Sequence, residues 1–378
     1  MAAPHIVFML CKTLWTEYIY CFLFTTATRH SNSHQSATSS LSNQSRQVYI
    51  YRSSPKTTKM PRFISPFDES HLFYRDYKPA DFPAPFRPDE ASLNNEWRKP
   101  ALVFLHGWPM SSIMFEKLTL PLCETYRFRC IAPDRRGFGN SDWMGSKPVK
   151  KPIDYDVFAA DLAYLLEKLK IGPFVFIGAS MGPGEAVHTY MNSDYVRENC
   201  RGIIGIGAAL PFPLQTPENP TATSREAWDD ILHNLRYNRP AYTKAALPAI
   251  LGRDAGCEVS DELIQRYTEL VLREDAQAVE RCVQLISSTD FTEKLKKLES
   301  ESDLRITCLH GDKDSPESQV VMLKKIVPRT VVKIYENAAH ERGGSVRFRR
   351  FQDYIYHRES PSLGGVGYYL KALLVAIK

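Results

Sequence analysis

The five residues Gly178-Ala179-Ser180-Met181-Gly182 constrain this chain more than any other stretch. A short apolar run, Phe174-Val175-Phe176-Ile177, leads into them, and Pro183 to Tyr190, a segment compatible with helix, follows at once. Gly-x-Ser-x-Gly between strand and helix demands a turn too tight for β-carbons on either side of the serine. The serine is left at the apex with its hydroxyl exposed. Ser180 is therefore a candidate nucleophile. The Met181 N–H falls at a helix N-terminus, where a free donor and the positive end of the helix dipole favour a developing oxyanion.

A nucleophilic serine needs a base, and the base needs a group to orient it. Leu304 to His310 reads as a strand running into Gly311-Asp312-Lys313-Asp314, and Thr330 to Tyr335 as another running into Glu336-Asn337-Ala338-Ala339-His340. Ser, Asp and His thus follow one another in chain order, each on the loop after a strand. His340 is preferred to His357 because it directly follows the last plausible strand. On these features, with Leu105-His106-Gly107-Trp108-Pro109 and the run Ser288 to Leu298 leading into His310-Gly311-Asp312-Lys313-Asp314, the chain resembles the α/β-hydrolase superfamily. Within it, the likeness is to the cofactor-free (non-haem) haloperoxidase and esterase group, and it spans roughly residues 60 to 340. The resemblance implies that the second acid of the Asp-x-Asp pair, Asp314, orients His340. It also implies that Trp108, the residue after His106-Gly107, supplies a second oxyanion N–H beside that of Met181. His106 itself is expected to brace its loop and not to act as a base.

The fold expected is a mostly parallel α/β sheet flanked by helices, the α/β-hydrolase fold, with a helical lid inserted at about 211–301. Continuous apolar runs such as Ala101 to Leu105 suit strands buried on both faces. Further strands are expected at His71 to Tyr77, Phe128 to Pro133 and Gly202 to Ala208. Asp154 is placed to cap a helix whose Phe158, Leu162, Leu165, Leu166 and Leu169 form one apolar stripe. The stretch Asp134 to Asp142 does not read as a dinucleotide loop, since Asp142 stands where a third glycine belongs. It resembles the Asp-x-Arg-Gly-x-Gly-x-Ser loop of the superfamily, which walls the site. Beyond Pro211 no strand-like run occurs before about Glu301. Helix starts of capping-box form appear instead at Thr223 to Glu226 and Asp290 to Glu293. Trp228, Tyr237, Tyr242 and Tyr267 are pocket walls or, more simply, lid core.

The net charge of +5 over 378 residues resides entirely in the first 59 residues, where Lys12, Arg29, Arg46, Arg52, Lys56 and Lys59 face Glu17 alone. A neutral body gives no reason to expect nucleic acid. Residues 1–59 are expected to be a disposable leader preceding a domain at 60–378. Their Ser/Thr/Asn/Gln-rich, basic second half also fits organelle targeting, while Lys12 and Glu17 interrupt the apolar Ile6 to Thr26 and make a membrane anchor costly. Pro79 to Pro100 reads as a surface connection. The eight cysteines lack a metal-like pair and read as buried thiols of a reducing, cytoplasmic setting. Oligomeric state is not legible.

The expected chemistry is hydrolysis of a small or medium carboxylic ester through an acyl-enzyme, without metal or organic cofactor. Perhydrolysis, in which peroxide replaces water, is a possible side activity. Dehalogenase and epoxide-hydrolase readings need Asp where Ser180 stands. Departures from the family after Asp314, at Ser315-Pro316-Glu317-Ser318, and after His340, where the chain is basic and Gly-broken, keep an alternative open: a non-catalytic ligand-binding protein on the same fold.

Overall fold

The computed structural model describes residues 61–80, 99–149, 151–251, 253, 259–313 and 317–339. The expected leader, most of the Pro-rich connection, Asp314, His340 and the residues after it lie outside these. Eight strands form one sheet in the order β1-β2-β4-β3-β5-β6-β7-β8: β1 (Arg62–Ile64), β2 (His71–Tyr77), β3 (Ala101–Leu105), β4 (Cys130–Pro133), β5 (Phe174–Ala179), β6 (Cys200–Ile206), β7 (Ile306–Lys313) and β8 (Val331–Ala339). β2 runs antiparallel to both β1 and β4, and every pairing from β4 to β8 is parallel. The α/β fold with a mainly parallel sheet is thus as expected.

Period-two alternation decides which side chain enters which layer. Val103, Leu105, Phe174, Phe176, Ile203 and Cys308 join one buried cluster, whereas Leu102, Phe104, Val175, Ile177, Ile204 and Leu309 join another. Each face is covered by helix stripes. On the first lie α2 (Tyr155–Lys168) and α3 (Gly182–Asn192); on the second lie α1 (Glu116–Glu124) and the 3₁₀ turn Ser112–Phe115 before it. The Asp154 carboxylate accepts the N–H groups of Asp156 and Val157 at 3.0 and 3.2 Å, making it the cap of α2. Phe158, Leu162, Leu165 and Leu166 are buried as the stripe requires. A short helix, α4 (Asp194–Asn199), leads into β6.

Between β6 and β7 the chain forms α5 (Arg225–Ile250), α6 (Asp261–Arg273), α7 (Ala276–Ser288) and α8 (Thr292–Glu301). α5 breaks at Asn238, two residues before Pro240, whose ring and missing N–H cannot continue a regular ladder. This insertion reaches both faces of the sheet. Val279, Cys282, Val283 and Ile286 of α7 enter the first cluster, and Ile264, Tyr267 and Val271 of α6 the second. The first cap is displaced by one residue from expectation: Ser224, not Thr223, accepts the N–H of Ala227, at 3.2 Å. Of the four aromatic candidates, Trp228 and Tyr267 are core and Tyr242 is half-buried, while Tyr237 is 77% exposed and lies against His233. Tyr237 is therefore neither wall nor core.

A last helix, α9 (Glu317–Ile326), precedes β8 and buries Val320 and Leu323. The described cysteines, Cys123, Cys130, Cys200, Cys282 and Cys308, are buried and unoxidised. Burial raises their thiols, Cys200, Cys282 and Cys308 to about 12. Among the described residues no helix is long and apolar enough to cross a membrane.

Candidate active site

β5 ends at Ala179 and α3 starts at Gly182, so Ser180 and Met181 alone make the connection. Ser180 sits at φ +54°, the left-handed region that a residue bearing a β-carbon occupies only when its surroundings hold it there. Two hydrogen bonds hold it. Its N–H donates to the Ile206 carbonyl at 3.0 Å, and its carbonyl accepts from Ala209 N–H at 2.9 Å. The flanking glycines are set by close approach. A β-carbon on Gly182 would lie 2.4 Å from the Leu105 carbonyl oxygen, and one on Gly178 would lie 2.6 Å from Pro183 N. Both obstructions are backbone and cannot swing away. The serine side chain is half-buried.

The loop after β3 comes against this elbow. A β-carbon on Gly107 would lie 3.2 Å from the Ser180 β-carbon and 3.3 Å from the Ala179 oxygen, so the residue before Trp108 touches the apex. Among the described residues, neither Trp108 N–H nor Met181 N–H donates a hydrogen bond. The Trp108 indole N–H reaches the Val279 carbonyl at 2.9 Å, pinning this loop to α7.

His106 is buried, and its ring closes two backbone bonds. Nε2 accepts the Arg135 N–H at 2.9 Å and Nδ1–H faces the Gly107 carbonyl at 3.0 Å. Burial holds its pKa well below the ordinary imidazole range, with the Arg135 charge adding to the effect. A ring so engaged braces the loop, as expected. His188 is equally structural, its Nε2–H donating to Asp156 at 2.6 Å. His310 lies buried within β7, where desolvation takes it down to about 4.

β7 and β8 run further than the sequence suggests. Gly311 pairs with Tyr335 and Lys313 with Ala339, past a bulge between Gly311 and Lys313. The segments read as loops at Gly311 to Lys313 and Glu336 to Ala339 are strand because each ladder supports the other. The next residues in sequence are Asp314 and His340, both outside the described residues. The structure thus brings together Ser180, Gly107 and the Trp108 and Met181 backbone, and it carries β7 and β8 in register to the residues directly before the other two candidates.

Sequence reasoning passed over a charged network beneath the elbow. Arg135 Nε donates to Glu185 Oε2 at 2.9 Å, a second bond from Nη2 reaches the same carboxylate, and Nη2 also reaches the His106 carbonyl at 3.0 Å. The signal available was Glu185 itself, an acid inside the otherwise uncharged run Gly182 to Tyr190. Also missed was Glu274, between α6 and α7, whose carboxylate accepts the Gly139 N–H on the loop after β4. Burial, with the Asp134 charge nearby, raises its pKa to about 7.

A family model described as the alpha/beta hydrolase fold matches residues 100–256. A Synechocystis sp. protein bearing the name of a non-haem chloroperoxidase is 32% identical over 63% of this chain and 84% of its own length. The chain belongs to the α/β-hydrolase superfamily. Its relatives there lie close to the non-haem haloperoxidases, and a bifunctional esterase/perhydrolase of Acinetobacter calcoaceticus is 29% identical over 67% of this chain and 82% of that one. Among solved structures, an esterase from Exiguobacterium antarcticum superposes with a TM-score of 0.65 at 19% identity. It is matched over 84% of this chain and 99% of its own length. A Bacillus anthracis bromoperoxidase gives 0.64 at 20% identity over the same shares. At these identities the two structures speak for the fold, which agrees with the sheet order described above.

Proposed function

We propose that this α/β-hydrolase cleaves a small or medium carboxylic ester through an acyl-enzyme. Ser180 attacks the carbonyl, and His340 takes its proton and returns it to the leaving alcohol. Asp314 accepts the imidazole N–H and stabilises the imidazolium, and the Trp108 and Met181 N–H groups receive the oxyanion. The observation that carries this reading is the elbow: Ser180 held at φ +54° between β5 and α3 with Gly107 packed on its β-carbon. A strained serine flanked by two uncommitted backbone donors matches what acyl transfer needs. The parallel register of β7 and β8 up to Lys313 and Ala339 supports placing Asp314 and His340 at the same sheet edge. Relatives named for esterase, perhydrolase and chloroperoxidase activity support it too. In this reading peroxide competes with water for the same acyl-enzyme, giving perhydrolysis as a side activity.

The insertion of α5 to α8 is the lid. It meets the loops after β3 and β4 through Val279, Glu274 and the Asp275 N–H, which donates to Gly137 at 2.9 Å. A roof of this size suits a compact acyl group better than a polymer. The test is turnover of short p-nitrophenyl esters by the full chain and by Ser180→Ala. Loss of a triad member lowers kcat on the order of 10⁴-fold or more in enzymes of this type, so turnover surviving in Ser180→Ala contradicts the proposal. An inert wild type that is nonetheless stabilised by ester ligands would mark a binding protein on the hydrolase fold.

A further inference from the structure

We infer that Arg135 and Glu185 are positioning residues that fix the spacing of the two oxyanion donors. This inference rests on the acyl-enzyme reading above and adds to it the device that sets the hole's geometry. The donors lie on separate elements. Trp108 follows β3 on the loop His106-Gly107-Trp108, and Met181 stands at the head of α3. Their separation is fixed only if loop and helix are tied together. The Arg135 side chain makes that tie, holding Glu185, one turn into α3, through Nε and Nη2, and the His106 carbonyl through Nη2. Its own N–H fixes the His106 ring, whose other nitrogen faces the Gly107 carbonyl. One residue on the loop after β4 thus grips both halves of the proposed hole.

Burial makes this a site of high stakes. His106, Arg135 and Glu185 are 1%, 6% and 5% exposed, and the guanidinium lies 5.5 Å from the centre of the Phe158 ring. Buried ion pairs contribute little net stability compared with apolar residues of similar volume, so stability alone does not account for charges here. Directionality does. The planar guanidinium presents donors in a rigid fork, which can serve a carboxylate and a carbonyl simultaneously, whereas an ammonium is a flexible point charge. Hydrogen-bond donors preorganised towards a developing oxyanion are worth most when they do not move during reaction.

The experiment compares wild type, Arg135→Lys and the double variant Arg135→Met with Glu185→Leu. Each is assayed for kcat and KM on a p-nitrophenyl ester, for inhibition by an aryl trifluoromethyl ketone, and for Tm. The ketone adds to the serine hydroxyl: the Oγ–C bond forms, the carbonyl π pair becomes the oxyanion, and the serine proton passes to the base. Its affinity therefore reads the hole itself. Both variants should keep KM within about twofold, lose roughly 10- to 100-fold in kcat, and lose ketone affinity by the same factor; removing a donor outright costs about 10² to 10³. The double variant should keep its Tm within a few degrees. Arg135→Lys retains the ion pair, so a purely structural role predicts rescue, whereas the positioning role predicts none. Should the double variant not fold, Glu185→Gln is read by the same paired measurements. Wild-type kcat and ketone affinity in Arg135→Lys, or a fall in kcat without a matching fall in ketone affinity, overturns the inference while leaving the serine mechanism standing. A wild type without Ser180-dependent turnover overturns both.

Discussion

Glu274 should contribute a part of this fold's stability that is lost as pH rises. Its side chain is buried where the α5–α8 insertion meets the loop after β4, accepting the Gly139 N–H, with Asp134 and Arg239 as its charged neighbours. Asp134 is itself buried and bonded to the N–H groups of Ser112 and Asn140 at 2.8 and 3.0 Å. The Arg239 guanidinium is taken up by the Val271 and Glu274 carbonyls at 2.6 and 2.8 Å. Desolvation leads, and the Asp134 charge adds, in raising Glu274 from 4.5 to about 7. A raised carboxyl means the folded protein holds the proton more tightly than the unfolded chain. The contribution is therefore present below pH 4.5, lost between 4.5 and about 7, and constant above. At 1.36 kcal/mol per unit the full span is about 3 kcal/mol, which for a domain this large moves Tm by about 5 °C. Glu274→Gln keeps a carbonyl oxygen for Gly139 and cannot ionise. Thermal unfolding of both proteins at pH 5 and pH 8 is the assay. The wild type should lose several degrees more than the variant between the two, and equal losses would show that Glu274 does not carry this pH dependence.

Two further outcomes follow from local geometry. Gly182→Ala drives a β-carbon to 2.4 Å from the Leu105 oxygen and should cost about 1–3 kcal/mol while displacing the Met181 N–H, so urea unfolding and esterase rate should fall together. Asp154→Ala removes the cap of α2 and should cost about 1 kcal/mol by the same unfolding assay, with kcat unchanged because the helix stripe still packs.

The strand-turn-helix at Ser180 was legible because glycine placement and an apolar run are local signals, and so were β2, β3 and the cap at Asp154. What escaped depends on distant pairing. β7 and β8 extend through residues whose Gly, Asp and Asn content reads as loop, because each supplies the other's hydrogen bonds. α1 escaped because Pro121 lies within it, and α9 because Ser315-Pro316-Glu317-Ser318 was read only as a departure from the family, while the helix is held by the burial of Val320 and Leu323. In the site, the apex was readable from five residues, but the Arg135–Glu185 tie joins positions 50 apart and leaves no periodic trace. Glu274 was invisible for the same reason, since its carboxyl is raised first by burial in the tertiary fold and then by Asp134, 140 residues earlier in sequence.

The proposed mechanism requires Ser180 to be an activated nucleophile. Reaction of the full chain with an alkyl fluorophosphonate, followed by peptide mass mapping, tests it most directly. A single adduct is expected on the peptide bearing Ser180, absent in Ser180→Ala and formed at least a hundredfold more slowly in His340→Ala. An unmodified Ser180 in catalytically assayed protein, or labelling that His340→Ala leaves untouched, would contradict it.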